Sequence, residues 1–556
     1  MQHFKKIIMK KQKRSAVRFS KVWLSTFAFA AILSSCTDLE IEQTDSNFQD
    51  ANDSSFQGVT DPQSFVDDIY NALRGQIGNQ ADYFALQEVT TDAALVPTRG
   101  SDWGDNGIWR QLHQHDWRPS HQFIEATWNQ FNNTHFRAAQ VLSDLTQADP
   151  VIKANASFLR AYGMFIILDN FGQIPVRNVE DTPFVDPAVL TGQEAVDQIV
   201  SDLNDAIAGL PTVGPGTGIG DSSSPLTRAS KASARYLLAK VLLNKHIYLK
   251  TEPNPADMNQ VISLVDSINA DGYDLVDGYF DIFKRDLDKE TIWFIPTAVG
   301  NRIWNGLHYN QATEMVGGGW NGFATLAEYY DLFEGDPNSN APGSGQEERR
   351  GFVPNAGLPV NQVDGGVDTN NNDIADGSSV GFGFLIGQQY SDKGVALNDR
   401  SGAPLTFKRN FVDNNGNPSL INNGETTGIR VVKYNPRFGA QTEHEIYFRY
   451  SDAYLMKAEA MFRAGQDPTA MMNVLRSLRD ATPFTSPVTA QDILDERGRE
   501  LYAEAWRRND MVRFGQYTRN WELKAPAEVG NEARNLFPIP QNQLILNPNL
   551  VQNPGY

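Results

Sequence analysis

Apolar residues recur at helical spacing through most of this chain and lose that period only in one long stretch. Near the C-terminus Ile446, Tyr450, Ala453, Tyr454 and Met461 share one face of a helix predicted over IYFRYSDAYLMKAEAMFRAG. A second helix, PTAMMNVLRSLRDA, covers that stripe, and ILDERGRELYAEAWRRNDMVRFGQY predicts one long third helix. Along it Glu496, Arg497, Glu500, Glu504, Arg507 and Arg508 stand three or four residues apart, the spacing at which a helix pairs charges along its own length. A carboxylate series can also house an acid/base pair, but an arginine beside nearly every glutamate reads as structural pairing. The ending, NLFPIPQNQLILNPNLVQNPGY, carries too many prolines for a helix and predicts an extended tail.

The first half repeats the helical beat. DPQSFVDDIYNALRG predicts a helix with Asp61 as its cap and Pro62 in its first turn. ANASFLRAYGMFIILDNFGQIPV, QEAVDQIVSDLNDAIAGLP, LTRASKASARYLLAKVLLNKHIYL and PADMNQVISLVDSINA predict further helices, followed by a strand-like segment ending at Phe294. Helix pairs at intervals of about 34 residues suggest tetratricopeptide-like stacking, although no unit carries the full consensus. The expected fold is mainly α: a tetratricopeptide-like helix-pair scaffold with a long loop-rich excursion and a few short strands or hairpins.

That excursion spans residues 295–445. TLAEYYDLFEG is its one periodic piece, and Asn415-Gly416 within KRNFVDNNGNPSLI reads as a hairpin. Loops this long in a compact protein are usually functional. Trp304, Tyr309 and Trp320 stand here among Asn301, Asn305, Asn310 and Asn321. A second aromatic group lies earlier, where Trp103, Trp109, Trp117 and Trp128 supply four of the chain's ten tryptophans. Trp103 sits in Arg99-Gly100-Ser101-Asp102-Trp103-Gly104-Asp105-Asn106-Gly107, a loop by its glycines and Asx residues. A flat ring on a polar loop either stacks on the C–H face of a sugar, with Arg99, Asp102 and Asn106 bonding its hydroxyls, or pins the loop to the core. The same alternatives hold for Trp320, where Trp304 and Tyr309 are further candidate ligand contacts and Asn321, with Arg99 and Asp102, would orient the ligand, while Trp117 and Trp128 flank helices and read as core.

Two motifs raise the question of a metal. His113, His115 and His121 surround Asp116, but no second cluster completes a shell, so hydrogen-bonded histidines are the expectation. Asp368, Asn370, Asn372, Asp373 and Asp376 resemble part of a calcium loop, yet the sixth position is not glycine and the closing glutamate is missing. A structural calcium ion is the one cofactor considered; an Asn/Asp-rich turn is the alternative.

Composition bears on partners. Of 48 basic residues, eight lie in residues 1–35, which contain no acid, so removal of that segment leaves 40 basic against 67 acidic side chains, a net charge of −27. Nucleic acid is excluded as a natural ligand, and a neutral ligand is favoured over a polyanion. Residues 1–35 read as a signal peptide: a basic region, then an apolar run from Val22 to Leu33 too short to span a bilayer. Leu33-Ser34-Ser35-Cys36 resembles the lipobox of bacterial lipoproteins, which makes Cys36, the only cysteine, the lipidated first residue of the mature chain. Residues 36–60 are then a lipidated flexible tether, and 61–556 a single domain in three parts, 61–294, 295–445 and 446–556. Among catalytic signatures, no nucleophile elbow, Walker loop, dinucleotide fingerprint or zinc-protease helix is present.

RYSDAYLMKAEAMFRAG, ERGRELYAEAWRRNDMVRFG and LFPIPQNQLILNPNLVQNPGY, in that order, resemble the C-terminal signature of the SusD/RagB family of outer-membrane nutrient-binding lipoproteins. Phe171, Gly172, Ile174 and Pro175 also match the stop of a family helix. The resemblance implies a cell-surface lipoprotein without enzymatic activity that captures an oligosaccharide and passes it to a SusC-like TonB-dependent transporter in the outer membrane; the acidic composition favours a neutral oligosaccharide, for example a β-glucan. It also favours glycan contact by loop aromatics at the place of Trp103. The rival readings are a peptide-capturing lipoprotein of the same architecture and a lipid-anchored glycoside hydrolase, whose two carboxylates no motif would mark.

Overall fold

The computed structural model describes residues 56–313, 317–354, 380–391, 394–436 and 442–556. The signal peptide, Cys36, most of the tether and the Asp368–Asp376 motif lie outside the described residues. Helices α1 (Pro62–Gly78), α2 (Asp82–Glu88), α3 (Ile108–Gln114), α4 (Gln122–Leu142), α5 (Pro150–Phe171), α6 (Gly192–Gly209), α7 (Lys231–Leu249) and α8 (Pro255–Ala270) make up the first half. The Asp61 carboxylate accepts the Ser64 N–H at 3.1 Å and Pro62 opens the first turn, as the sequence predicts. From α4 to α8 each helix packs on the next, which is the stacking of helix pairs that buries a continuous core. Helix α5 is apolar enough to pass for a membrane span but is buried as the core helix. Gly163 lets α4 and α5 meet, since a Cβ there would sit 2.9 Å from the Phe131 carbonyl oxygen.

After α5, β1 (Gln173–Val176) pairs antiparallel with β2 (Ala188–Thr191). The excursion contains β3 (Thr291–Ile295) at its entrance, then α9 (Gly300–Trp304) and α10 (Ala327–Tyr330), the latter one turn where a longer helix is expected. Short strands follow: β4 (Gly351–Phe352), β5 (Phe382–Leu385), β6 (Gly387–Gln388), β7 (Thr406–Phe407) and β8 (Arg430–Val432), with β4-β5-β8 forming one antiparallel sheet and β6-β7 another. Around Asn415-Gly416 the Asp413 N–H donates to the Asn417 carbonyl at 2.9 Å, closing the hairpin.

The C-terminal part departs from its sequence pattern twice. Residues predicted to begin a helix at Ile446 instead form β9 (Glu445–Arg449), paired antiparallel with β3, and α11 (Tyr450–Arg463) starts only after it. Trp293 and Phe448 from the two strands meet edge to face at 4.9 Å in the core, so both strands are buried completely. Helix α12 is Thr469–Ser477. The long third helix is in fact two, α13 (Ala490–Glu500) and α14 (Arg507–Arg513), because Ala503 and Ala505 take left-handed backbone, φ 57° and 63°. The break lets the Ala505 N–H reach an oxygen of the buried Glu88 carboxyl group at 2.7 Å and aims Arg507 at Asp92 through two bonds of 2.7 Å. The tail is extended apart from α15 (Gln541–Leu546), which forms after Pro540, where proline's missing amide costs nothing.

The charges of this part pair, but mostly not along their own helix. Glu496 takes Arg499 from its own helix and Arg349 and Arg476 from elsewhere, at 2.6–2.7 Å. Glu500 meets Arg349, Arg449 and Arg479, and Arg449 also binds Glu290 and Glu504. Arg497 reaches Asp452 and Asp510, and Arg508 reaches Asp169. The network stitches the excursion to the helices, with each buried charge answered by opposite charge.

Candidate functional site

Two loops that are remote in sequence meet, residues 99–107 and 304–323. Arg99 and Asp102 exchange backbone hydrogen bonds of 3.0 Å across Gly100-Ser101, and Trp103 leaves this turn with φ 58°, left-handed backbone that a bulky residue adopts only under tertiary constraint. The constraint is visible. The Trp103 Nε1–H donates to the Trp320 carbonyl at 2.7 Å, and its ring meets Trp109 and Phe323 edge to face, both at 5.9 Å. Gly322 has to be glycine, since a Cβ there would lie 2.3 Å from the Trp103 ring.

The second loop folds on itself. Trp320 N–H donates to Trp304 O at 2.7 Å, Asn321 N–H to Leu307 O at 2.7 Å and Gly319 N–H to His308 O at 3.0 Å. Gly319 allows this approach, because a Cβ would be 2.2 Å from the Leu307 carbonyl oxygen. The ladder fixes the Trp320 backbone while leaving its side chain 65% exposed. Trp304 and Tyr309 are half-buried beside it.

Polar groups complete the surface. The Tyr309 hydroxyl donates to the Asp102 carboxylate, and the Arg400 guanidinium lies 3.8 Å over the Tyr309 ring. Arg400 also donates to Glu425, through its side chain and, at 3.1 Å, through its backbone N–H, and stands 3.8 Å from Asp102. Burial pushes the Tyr309 phenol up, and the Asp102 carboxylate adds to that, so it remains a hydroxyl donor. Burial also pushes Glu425 upward, but the Arg400 backbone and guanidinium and His308 outweigh it and hold the carboxyl below its ordinary range. His308 is pushed down to about 4 by burial and is neutral; its Nδ1 accepts the Asn310 N–H at 3.1 Å, which leaves Nε2–H to donate to Glu425 at 3.0 Å. Asn106 is exposed on the turn that follows Trp103, with φ 52°.

Arg99 and Asn321, expected to orient a ligand, are turned inward. Arg99 is buried and donates to the Gly424 and Thr427 carbonyls at 2.6 and 2.8 Å and to the Thr427 hydroxyl at 2.5 Å; burial without a carboxylate partner lowers its pKa to about 9. Asn321 accepts from Arg430 at 2.7 Å and donates to the Glu425 carbonyl at 3.0 Å. Both shape the loop that carries Glu425. Asp102, Trp103, Trp304, Tyr309 and Trp320 do come together, Asn106 stands exposed on the adjoining turn, and the structure adds Arg400, Glu425 and His308. Their sequence surroundings, NDRSG and NGETTG, say only loop; no local signal marks them.

The early histidines are core. His113, His115 and His121 are buried, each with Nε2 on a different backbone carbonyl, those of Glu522, Thr90 and Ile108. Burial pushes His113 and His121 down to about 4 and His115 well below its ordinary value. Among the described residues no three His, Cys, Asp or Glu side chains are grouped to hold a metal. Trp117 and Trp128 are buried against Phe537 and Phe171. The surface thus offers one free indole face, half-exposed rings and a charge-paired set of donors and acceptors: a site for stacking and hydrogen bonding.

Known proteins match along nearly the whole chain. A model of the SusD family matches residues 289–556, and a second, described as starch-binding and associating with the outer membrane, matches residues 47–243. The starch-binding protein SusD of Bacteroides thetaiotaomicron is 26% identical over 527 residues, 88% of each chain. Among solved structures, a SusD-like protein from Bacteroides fragilis aligns with a TM-score of 0.62 at 19% identity, covering 91% of this chain and 98% of that one. A laminarin-binding SusD-like protein aligns with a TM-score of 0.61 at 21% identity, covering 90% of this chain and 100% of the other. Both structures share the fold.

Proposed function

This chain belongs to the SusD family, and from that premise we propose that it is a cell-surface glycan-binding lipoprotein, anchored in the outer membrane through Cys36, that captures a neutral oligosaccharide and delivers it to a TonB-dependent transporter. The observation that carries the reading is the exposed Trp320 ring, fixed by main-chain bonds next to Asp102, Tyr309 and Arg400. A sugar stacks its C–H face on the indole while its hydroxyls bond Asp102, Arg400 and Asn106, and half-exposed Trp103, Trp304 and Tyr309 extend the apolar floor. Arg400 is already answered by Asp102 and Glu425, so the surface offers hydrogen bonds with little net charge, which suits a neutral glycan. No covalent step is involved. The relatives described as starch-binding and laminarin-binding point to neutral glucans.

Calorimetry of soluble protein starting after Cys36, against starch, laminarin and other neutral and acidic polysaccharides and a peptide mixture, tests this. Binding to a neutral glycan that is lost on combined Trp103→Ala and Trp320→Ala change is expected. Binding to peptide alone, or to sugar regardless of both tryptophans, refutes it, and release of reducing ends on prolonged incubation would make the protein a hydrolase.

A further inference from the structure

The turn that carries Trp103 has a second face. Past Asn106 it looks across to the segment joining α3 to α4, and the two enclose a cleft of about 330 Å³ lined by Asp105, Asn106, Gln111, Asp116, Arg118 and Gln122, with the His121 ring in its wall. A short series of contacts leads there from Trp320. The Trp320 carbonyl accepts the Trp103 indole N–H at 2.7 Å, the Trp103 ring meets Trp109 at 5.9 Å, and the Trp109 Nε1–H donates to one Asp105 oxygen at 2.9 Å.

The walls are held by bonds that leave their polar ends open. The Asp116 N–H donates to the Gln111 carbonyl and the His121 N–H to that of Arg118, both at 2.9 Å. The second Asp105 oxygen and the side chains of Asn106, Gln111, Asp116, Arg118 and Gln122 have no hydrogen bond or ion pair among the described residues, although Asp116 and Arg118 carry opposite charges two positions apart. His121 is only 5% exposed; its Nε2–H donates to the Ile108 carbonyl at 3.1 Å, and Nδ1 is left as an acceptor without a partner. A buried acceptor in that state costs free energy unless something in the cleft answers it.

The make-up of this set selects a ligand class. Sugar hydroxyls donate and accept at once; a carboxylate takes hydroxyl protons, a guanidinium donates through a fixed fork, and an amide does both. A metal ion does not fit, because no three His, Cys, Asp or Glu side chains are grouped to hold one among the described residues. An anionic sugar meets two carboxylates, Asp105 and Asp116, against the single Arg118 guanidinium and is disfavoured.

We propose that this cleft is a second subsite of the glycan surface, in which Asp116, Arg118, Gln111 and Gln122 bond the hydroxyls of those units of a neutral oligosaccharide that extend beyond the one stacked on Trp320. The subsite rests on the glycan reading above and adds to it a preference for chain length: Trp320 anchors one unit, and the cleft rewards a chain long enough to reach it.

Titration calorimetry of the soluble protein with oligosaccharides of rising length, cut from starch and from laminarin, tests this on the unaltered chain and on Asp116→Ala/Arg118→Ala. Affinity of the unaltered chain should rise about tenfold from the shortest to the longest ligand, the worth of one or two hydrogen bonds to charged groups. The double variant should lose that rise and keep its thermal midpoint, since both side chains are exposed. No rise with length in the unaltered chain, a rise that survives the double change, or an equal loss for short and long ligands overturns the subsite and leaves the stacking on Trp320 untouched. Loss of the rise on chelation of calcium overturns it too, by assigning the carboxylates to a cation. If the unaltered chain binds neither series at any length, the glycan reading itself fails and the subsite falls with it.

Discussion

Replacement of Trp320 by alanine isolates the stacking contribution, because little else depends on that side chain. The bonds that hold the loop, from the Trp320 N–H to Trp304 and from Trp103 to the Trp320 carbonyl, are main-chain on the Trp320 side and survive the change. The ring is 65% exposed, which for a side chain able to bury about 250 Å² leaves about 160 Å² accessible, and a sugar stacked on one face covers about half of that. At about 25 cal/mol per Å² the ~80 Å² of contact contributes about 2 kcal/mol, or about thirtyfold in Kd. Titration calorimetry with the best-bound oligosaccharide should therefore show Kd weakened about thirtyfold, with the thermal midpoint unchanged because no buried contact is lost. A Kd within threefold of the parent, with the fold intact, would refute the stacking argument and move the site elsewhere.

Other outcomes follow from the buried charges. Arg449→Met strands Glu290, Glu500 and Glu504 without their shared partner and should cost about 3–5 kcal/mol; with about 2.1 cal/mol/K of unfolding entropy per residue over about 500 residues, calorimetry should show a fall of about 3–5 °C. Burial pushes the Glu496 carboxyl up, but Arg349, Arg499 and Arg476 outweigh it and leave it at about 2 against an ordinary 4.5, with Asp452, Glu459 and Glu500 also depressed. That stability is full above pH 4.5 and is lost as pH falls towards 2, so a thermal midpoint unchanged down to pH 3 would contradict it. Glu88 behaves oppositely: burial raises it from 4.5 to about 8, so its contribution is full below pH 4.5 and declines as pH rises to 8. Glu88→Gln cannot ionise and should gain on the parent progressively between pH 5 and 8; parallel midpoint curves would show that Glu88 is not responsible. Arg99→Lys loses the forked contacts to Gly424 and Thr427 and should destabilise by about 1.5–3 kcal/mol in urea, with an unshifted midpoint telling against its role in holding the loop.

Local pattern in the sequence determined a good deal of this protein. The 3.6-residue period located the stacked helices, Asp61-Pro62 located the start of the first, and the terminal motifs identified the family, because amphipathic periodicity, capping and proline are properties of neighbouring residues. It also flagged Trp103 and Trp320 as rings out of place on polar loops. Tertiary structure decided the rest. Ile446–Arg449 has helix-compatible spacing, yet pairing with Thr291–Ile295 buries it as a strand; the run from Ala490 to Arg513 reads as one helix, yet it breaks where Ala505 and Arg507 bond the distant Glu88 and Asp92. Arg99 and Asn321 read like ligand contacts until the 424–428 loop arrives to take them, and Arg400, Glu425 and His308 belong to the site only because that loop folds there. These outcomes turn on contacts between residues separated by 217 positions for Trp103 and Trp320 and by 325 for Arg99 and Gly424. A periodicity confined to a few helical turns carries no information about which distant backbone will supply the competing partner.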